Sequence, residues 1–134
     1  MPPVSSSVSS GTVVLDASAV LALLFEEPGA EVVRVHLRTG VIGAANLAKL
    51  SDHGLPAAEA VRAVAILGLE VAPMTEAQAQ RSAVLRPLTR GAGLSLGDRA
   101  CLALAAELGA PAVTADRGWD AVAGAAEIPV QVIR

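Results

Sequence analysis

Leu94 to Asp120 reads LSLGDRACLALAAELGAPAVTADRGWD, a stretch that places acidic residues at the junctions of a helix and a strand. Ser95, with Asp98 three residues on, has the form of a capping box opening an Ala/Leu-rich helix. Gly109 followed by Pro111 ends that helix, and Ala112-Val113-Thr114-Ala115 predicts a short buried strand. Asp116 stands where the strand stops. Ligands of open parallel sheets bind beyond the carboxyl ends of the strands, so an acid there, followed by the turn Arg117-Gly118-Trp119-Asp120, is placed for chemistry. The pattern recurs near the start of the chain, where Thr12-Val13-Val14-Leu15 predicts a strand ending on Asp16 ahead of a buried helix over Ala17 to Phe25. Asp16, Asp98 and Asp116 are therefore expected to converge on one edge of a sheet.

Each acid alone has a structural explanation. Asp98 completes the capping box, while Asp16 and Asp116 are suited to capping the helical segments that follow them. Together they suggest more. Caps need no particular place in a sheet, whereas a divalent cation needs several oxygen ligands delivered to one point, and like charges at one point repel without a cation. The two roles are compatible, since one carboxylate oxygen can cap while the other faces a metal.

Composition sets the outer limits. A chain of 134 residues with 53% hydrophobic content suits one domain with a full core. A formal net charge of −3 argues against holding nucleic acid by bulk positive charge. The single cysteine, Cys101, falls inside the predicted helix and reads as a small apolar packing residue, in keeping with a cytoplasmic protein. The longest apolar run, Val13 to Phe25, is interrupted by Asp16 and Ser18 and is shorter than the roughly 20 residues that span a bilayer, so no membrane segment is expected. Residues 1–11, MPPVSSSVSSG, lack the basic region of a secretory signal and read as a flexible extension, with the domain proper over 12–134.

Along the rest of the chain, Ala30 to Leu37 predicts a surface helix ending at Gly40, on which His36 reads as solvated. Val41 to Gly54 reads as a short helix in its latter part. Pro56 to Leu67 predicts a helix, Leu69 to Pro73 a strand, and Thr75 to Thr89 a long amphipathic helix. Ala121 to Ala126 reads as one or two helical turns and Val130 to Ile133 as a terminal strand. No internal repeat is visible. Four short apolar strands separated by helices require crossovers too long for hairpins, which implies an α/β domain with a parallel sheet covered on both faces.

Four stretches carry a family resemblance: Val14-Leu15-Asp16-Ala17-Ser18-Ala19-Val20-Leu21, Asn46-Leu47-Ala48, Leu96-Gly97-Asp98-Arg99-Ala100 and Thr114-Ala115-Asp116-Arg117. In this order the chain resembles a PIN-domain protein, specifically a VapC-type toxin, from Thr12 to Ile133. The resemblance implies a three-layer α/β/α sandwich around a mostly parallel sheet of four to five strands. It also implies an RNA endonuclease dependent on Mg²⁺ or Mn²⁺, held inactive by a VapB-type antitoxin and assembled as a homodimer. Carried over, Asp16, Asp98 and Asp116 match three of the four metal-site acids, and Asp120 a less constant acid. Thr114, with Ser18 and Asn46, falls in supporting positions. Arg99 and Arg117, next to site acids, are candidate contacts to RNA phosphate.

One stretch departs from the pattern. The family helix containing Asn-Leu-Ala continues with a glutamate and further apolar residues before a Lys-Leu-Ala-Asp-like stretch. Here Ala48 runs directly into Lys49-Leu50-Ser51-Asp52-His53-Gly54. A deletion of about four residues would remove the glutamate, turning the downstream helix face by only about 40° while shortening it by about 6 Å. Without a gap, Lys49, the only lysine of the chain, takes the glutamate's place and competes with a metal for the aspartates. Either way the resemblance implies impaired hydrolysis, with an inactive antitoxin-binding protein as the alternative.

Overall fold

The structure is a computed structural model that describes residues 11–134. The expected extension over 1–11 thus lies outside the described residues, apart from Gly11. That residue is already tied to the domain, its carbonyl accepting from the Thr39 hydroxyl at 2.6 Å.

The chain runs β1 (Val13–Leu15), α1 (Ala17–Leu24), α2 (Ala30–Arg34), β2 (Gly40–Gly43), α3 (Ala44–Lys49), α4 (Ala57–Leu67), β3 (Glu70–Ala72), α5 (Glu76–Thr89), α6 (Leu96–Leu108), β4 (Ala112–Thr114), α7 (Asp120–Ala126) and β5 (Val130–Val132). All pairings are parallel, in the order β3-β2-β1-β4-β5. The chain leaves β1 towards one edge and returns to its other side at β4. The topological switch point therefore falls between β1 and β4, the strands that end beside Asp16 and Asp116.

Alternation along the strands builds the two cores. Val13 and Leu15 of β1, Ile42 of β2 and Val113 of β4 face the apolar sides of α1, α2 and α4. Val14, Val41 and Ala112 face the other way, against residues of α5, α6 and α7 and the fully buried Trp119. The result is the three-layer sandwich. Among the described residues no helix is long and apolar enough to cross a membrane.

Two expectations need correction. The surface helix over Ala30 to Leu37 stops at Arg34, and Leu37–Thr39 forms a 3-10 turn instead. More consequentially, Gly40–Gly43 is a fifth strand, β2, wedged between β1 and β3. Its two glycines conceal it in the sequence, yet one is required by packing. A Cβ on Gly40 would lie 2.8 Å from Leu69 Cδ2 and 3.0 Å from the His36 carbonyl.

Candidate functional site

Asp16 follows β1 directly and caps α1. It is 3% exposed, and both carboxylate oxygens are engaged. Oδ1 accepts from the Ala19 amide at 3.0 Å and the Ser18 hydroxyl at 2.7 Å, while Oδ2 accepts from the Thr114 hydroxyl at 3.0 Å. The same hydroxyls accept in turn from the next strand end, Ser18 Oγ from the Ala115 amide and Thr114 Oγ1 from the Asp116 amide. Each hydroxyl has one proton, and both protons point at Asp16. The 3.2 Å approach between Ser18 and Thr114 is thus a contact within the web. Burial pushes the Asp16 carboxyl up to about 6, against the pull of these three donors, and the nearby charge of Asp98 pushes the same way.

Asn46 sets the distance between the two halves of the site. It is 1% exposed at the middle of α3. Its Oδ1 accepts from the Ala17 amide at 3.0 Å, and its Nδ2 donates to the Gly97 carbonyl at 3.1 Å. One side chain therefore joins the first turns of α1 and α6, the helices that carry Asp16 and Asp98.

Asp98 forms the expected capping box: Ser95 Oγ accepts from the Asp98 amide at 3.2 Å, and Asp98 Oδ2 accepts from the Ser95 amide at 2.9 Å. Its other oxygen, Oδ1, is taken by Lys49 Nζ at 2.9 Å, which also donates to Ser95 Oγ at 3.1 Å. Lys49 ends α3, and a 3-10 turn over Leu50–His53 follows. Lys49 thus reaches one of the site acids, Asp98. Its place at the break in the Asn-Leu-Ala pattern, one turn beyond Asn46 on the same helix face, was the signal for it.

Asp116 is exposed and holds its own turn, its Oδ1 accepting from the Gly118 amide at 2.8 Å. That turn is anchored from beneath by Trp119, whose amide donates to the Asp116 carbonyl. Asp120 is exposed in the first turn of α7. The two arginine side chains bond to backbone carbonyls rather than to the acids. Arg99 is 8% exposed and donates through Nη1 to the Ser82 carbonyl at 2.8 Å, which makes it a strut between α6 and α5 and corrects its expected contact with RNA. Arg117 Nε donates to the carbonyl of Arg134 at 2.9 Å. His36, as expected, is a surface residue, hydrogen-bonded to Gln131 at 2.8 Å. Cys101 is buried, and burial raises its thiol well above the ordinary range, as suits a packing residue.

Beside Ser18 opens a cleft of about 350 Å³ lined by Leu21, Phe25, Glu27, His53 and Arg134. None of these five stood out in the sequence, because they come from three separated stretches.

The divalent cation implied by the resemblance does not fit this arrangement. Asp98 is ion-paired with Lys49, both oxygens of Asp16 already accept hydrogen bonds, and one oxygen of Asp116 holds its own turn. Among the described residues no three His, Cys, Asp or Glu side chains gather closely enough to hold a metal ion.

Comparisons with known proteins agree with the fold. A family model described as a PIN domain matches residues 13–125. The structure is similar to that of FitAcB from Neisseria gonorrhoeae, with a TM-score of 0.64 at 19% identity over 90% of this chain and 96% of that one. VapBC2 from Rickettsia felis, solved bound to a DNA fragment from its promoter, gives 0.66 at 14% identity over 90% and 98%. VapBC-5 from Mycobacterium tuberculosis, a member of the VapBC family of toxin-antitoxin systems, gives 0.62 at 20% identity over 92% and 100%. No curated protein sequence matches the chain.

Proposed function

The chain belongs to the PIN domain family, and from that premise we propose that it is a VapC-type member of a toxin–antitoxin pair that retains antitoxin binding and has lost most of the ribonuclease activity of the type. The observation that carries the loss is the 2.9 Å ion pair between Lys49 and Asp98. Hydrolysis of a phosphodiester needs a nucleophilic water and positive charge against the phosphate oxygens as negative charge builds there. Mg²⁺ or Mn²⁺ supplies both when held by carboxylates. In this chain the acids are otherwise occupied. Asp98 is neutralised by Lys49, Asp16 is held by Ser18, Ala19 and Thr114, and Asp116 stabilises its own turn.

Antitoxin binding is supported differently. Several of the similar folds were solved as toxin–antitoxin assemblies. The similarity to those folds extends over about nine-tenths of the chain. The partner is a VapB-type protein, and the reaction that has been lost is RNA cleavage.

Two measurements test the reading. Co-expression with a VapB-type antitoxin should yield a complex that survives size exclusion. Cleavage of a structured RNA in Mn²⁺ should be compared between the parent and two forms that carry a four-residue helical segment between Ala48 and Lys49, one beginning with Glu and one with Gln. A single well-placed catalytic group is worth about 10² to 10⁴ in rate, so the Glu form should exceed both others by that order. A parent as fast as the Glu form would show an intact ribonuclease toxin instead.

A further inference from the structure

Lys49 is seated more closely than a surface lysine forming a chance ion pair. Its ammonium has two acceptors, Asp98 Oδ1 at 2.9 Å and Ser95 Oγ at 3.1 Å. Its stem lies along Gly97, where an added Cβ would sit 3.0 Å from Lys49 Cδ and 3.5 Å from Nζ, so the chain passes through space that a side chain at 97 would fill. Its backbone is held on both sides, by Asn46 one turn earlier and by the fully buried Leu50 next to it. Asn46 and Lys49 share a face of α3 and grip adjacent groups of the first turn of α6, one the Gly97 carbonyl and the other the Ser95–Asp98 capping box. The N-terminus of α6 is itself the positive end of a helix dipole, which disfavours a cation there. The carboxylate of Asp98 is therefore what holds the ammonium in place.

From this geometry we infer that Lys49 is a tethered counter-ion, an ammonium that occupies the cation's place beside Asp98 and makes the acid cluster of this chain indifferent to divalent metals. A divalent ion reaching Asp98 must displace a charge covalently attached to the fold, whose local concentration does not fall on dilution. The inference goes beyond the loss of turnover. It assigns the site a resident cation, and with it a stability that requires no metal.

The test is metal binding rather than activity. Parent, Lys49→Met and Lys49→Glu proteins are titrated with Mn²⁺ while free Mn²⁺ is followed by its paramagnetic resonance signal, and each is melted in EDTA and in millimolar Mn²⁺. The parent should take up no Mn²⁺ at this site and melt at the same temperature in both media. Lys49→Glu should bind Mn²⁺ and gain roughly 4 °C or more on adding it. Lys49→Met keeps the stem and drops the charge, so it should melt below the parent in EDTA and bind Mn²⁺ more tightly than the parent. If the parent binds Mn²⁺ as well as Lys49→Met does, or if neither variant binds more than the parent, the inference is overturned. Should Lys49→Glu fail to fold, Lys49→Met decides alone. The inference rests on the same ion pair as the proposed loss of cleavage, but its readout is metal uptake without RNA or antitoxin, so a parent that binds Mn²⁺ yet leaves RNA uncut overturns this inference and leaves the proposed function standing.

Discussion

Asp16 is the residue whose burial weighs most on stability. Its carboxyl titrates near 6 in the folded chain against an ordinary value of 3.8. A raised folded pKa means that the folded state binds the proton more tightly than the unfolded one, so the contribution is most favourable below 3.8 and is lost as pH rises through 6. The penalty reaches about 3 kcal/mol at neutral pH. An Asp16→Asn variant keeps an acceptor for Ser18 and Ala19 but has no charge to desolvate. Its stability relative to the parent should therefore increase by about 2 to 3 kcal/mol between pH 4 and pH 7.5, read from urea midpoints at the two values. A parent that instead gains on the variant as pH rises would mean that the hydrogen bonds of Ser18, Ala19 and Thr114 outweigh burial. Thr114 and Ser18, marked as supporting positions in the sequence, do hold this carboxylate. Arg99 could not be placed in advance, because adjacency in sequence says nothing about which side of a helix faces a neighbouring one.

At the scale of elements, the closure of β5 onto the α1–α2 loop depends on one glycine. Gly29 has φ +95°, and a Cβ there would lie 2.7 Å from Ile133 Cγ1 and 2.8 Å from the Ile133 carbonyl. Gly54 has nearly the same backbone, φ +90°, with nothing within 4 Å of the same position. The pair separates strain from collision. Gly54→Ala should cost about 1 kcal/mol from the left-handed backbone alone, whereas Gly29→Ala should cost about 3 kcal/mol or more because overpacking is added. Denaturant midpoints of the two variants provide the comparison, and equal losses would mean that Ile133 moves aside freely. Both ends of α6 were readable beforehand from their residues, the capping box of Ser95 and Asp98 and the stop at Gly109. Strand β2 was not, since Val41 and Ile42 between two glycines make too short an apolar run to mark a strand, and only its neighbours on both sides make it one.

The whole molecule leaves apolar surface uncovered. Helix α1 adds nothing to it, because Ala17 and Ala19 to Leu23 are buried in the core. The exposed apolar residues lie elsewhere, among them Val61 and Ile66 of α4, 60% and 76% exposed, and Val71 of the edge strand β3. Exposed apolar residues on an edge strand and on the helix that precedes it are surface that proteins usually cover. A homodimer at micromolar concentration is the expected outcome in light scattering, and replacing Val61 and Ile66 with glutamate should shift it to monomer. A parent that scatters as a monomer would count against this assembly.

The amino-acid sequence by itself determined the alternation of short apolar strands with helices, the acids at the ends of β1 and β4, the capping box of α6 and the break after Ala48. All of these are written in residues close together along the chain, where period, capping and turn chemistry act. The tertiary structure alone decided the strand order, the presence of β2, the turning of Arg99 towards α5 and the seating of Lys49 on Asp98. These depend on which groups share a volume after folding. Lys49 and Asp98 are 49 positions apart, and they meet because Asn46 ties α1 to α6 while Gly97 leaves room for the lysine stem.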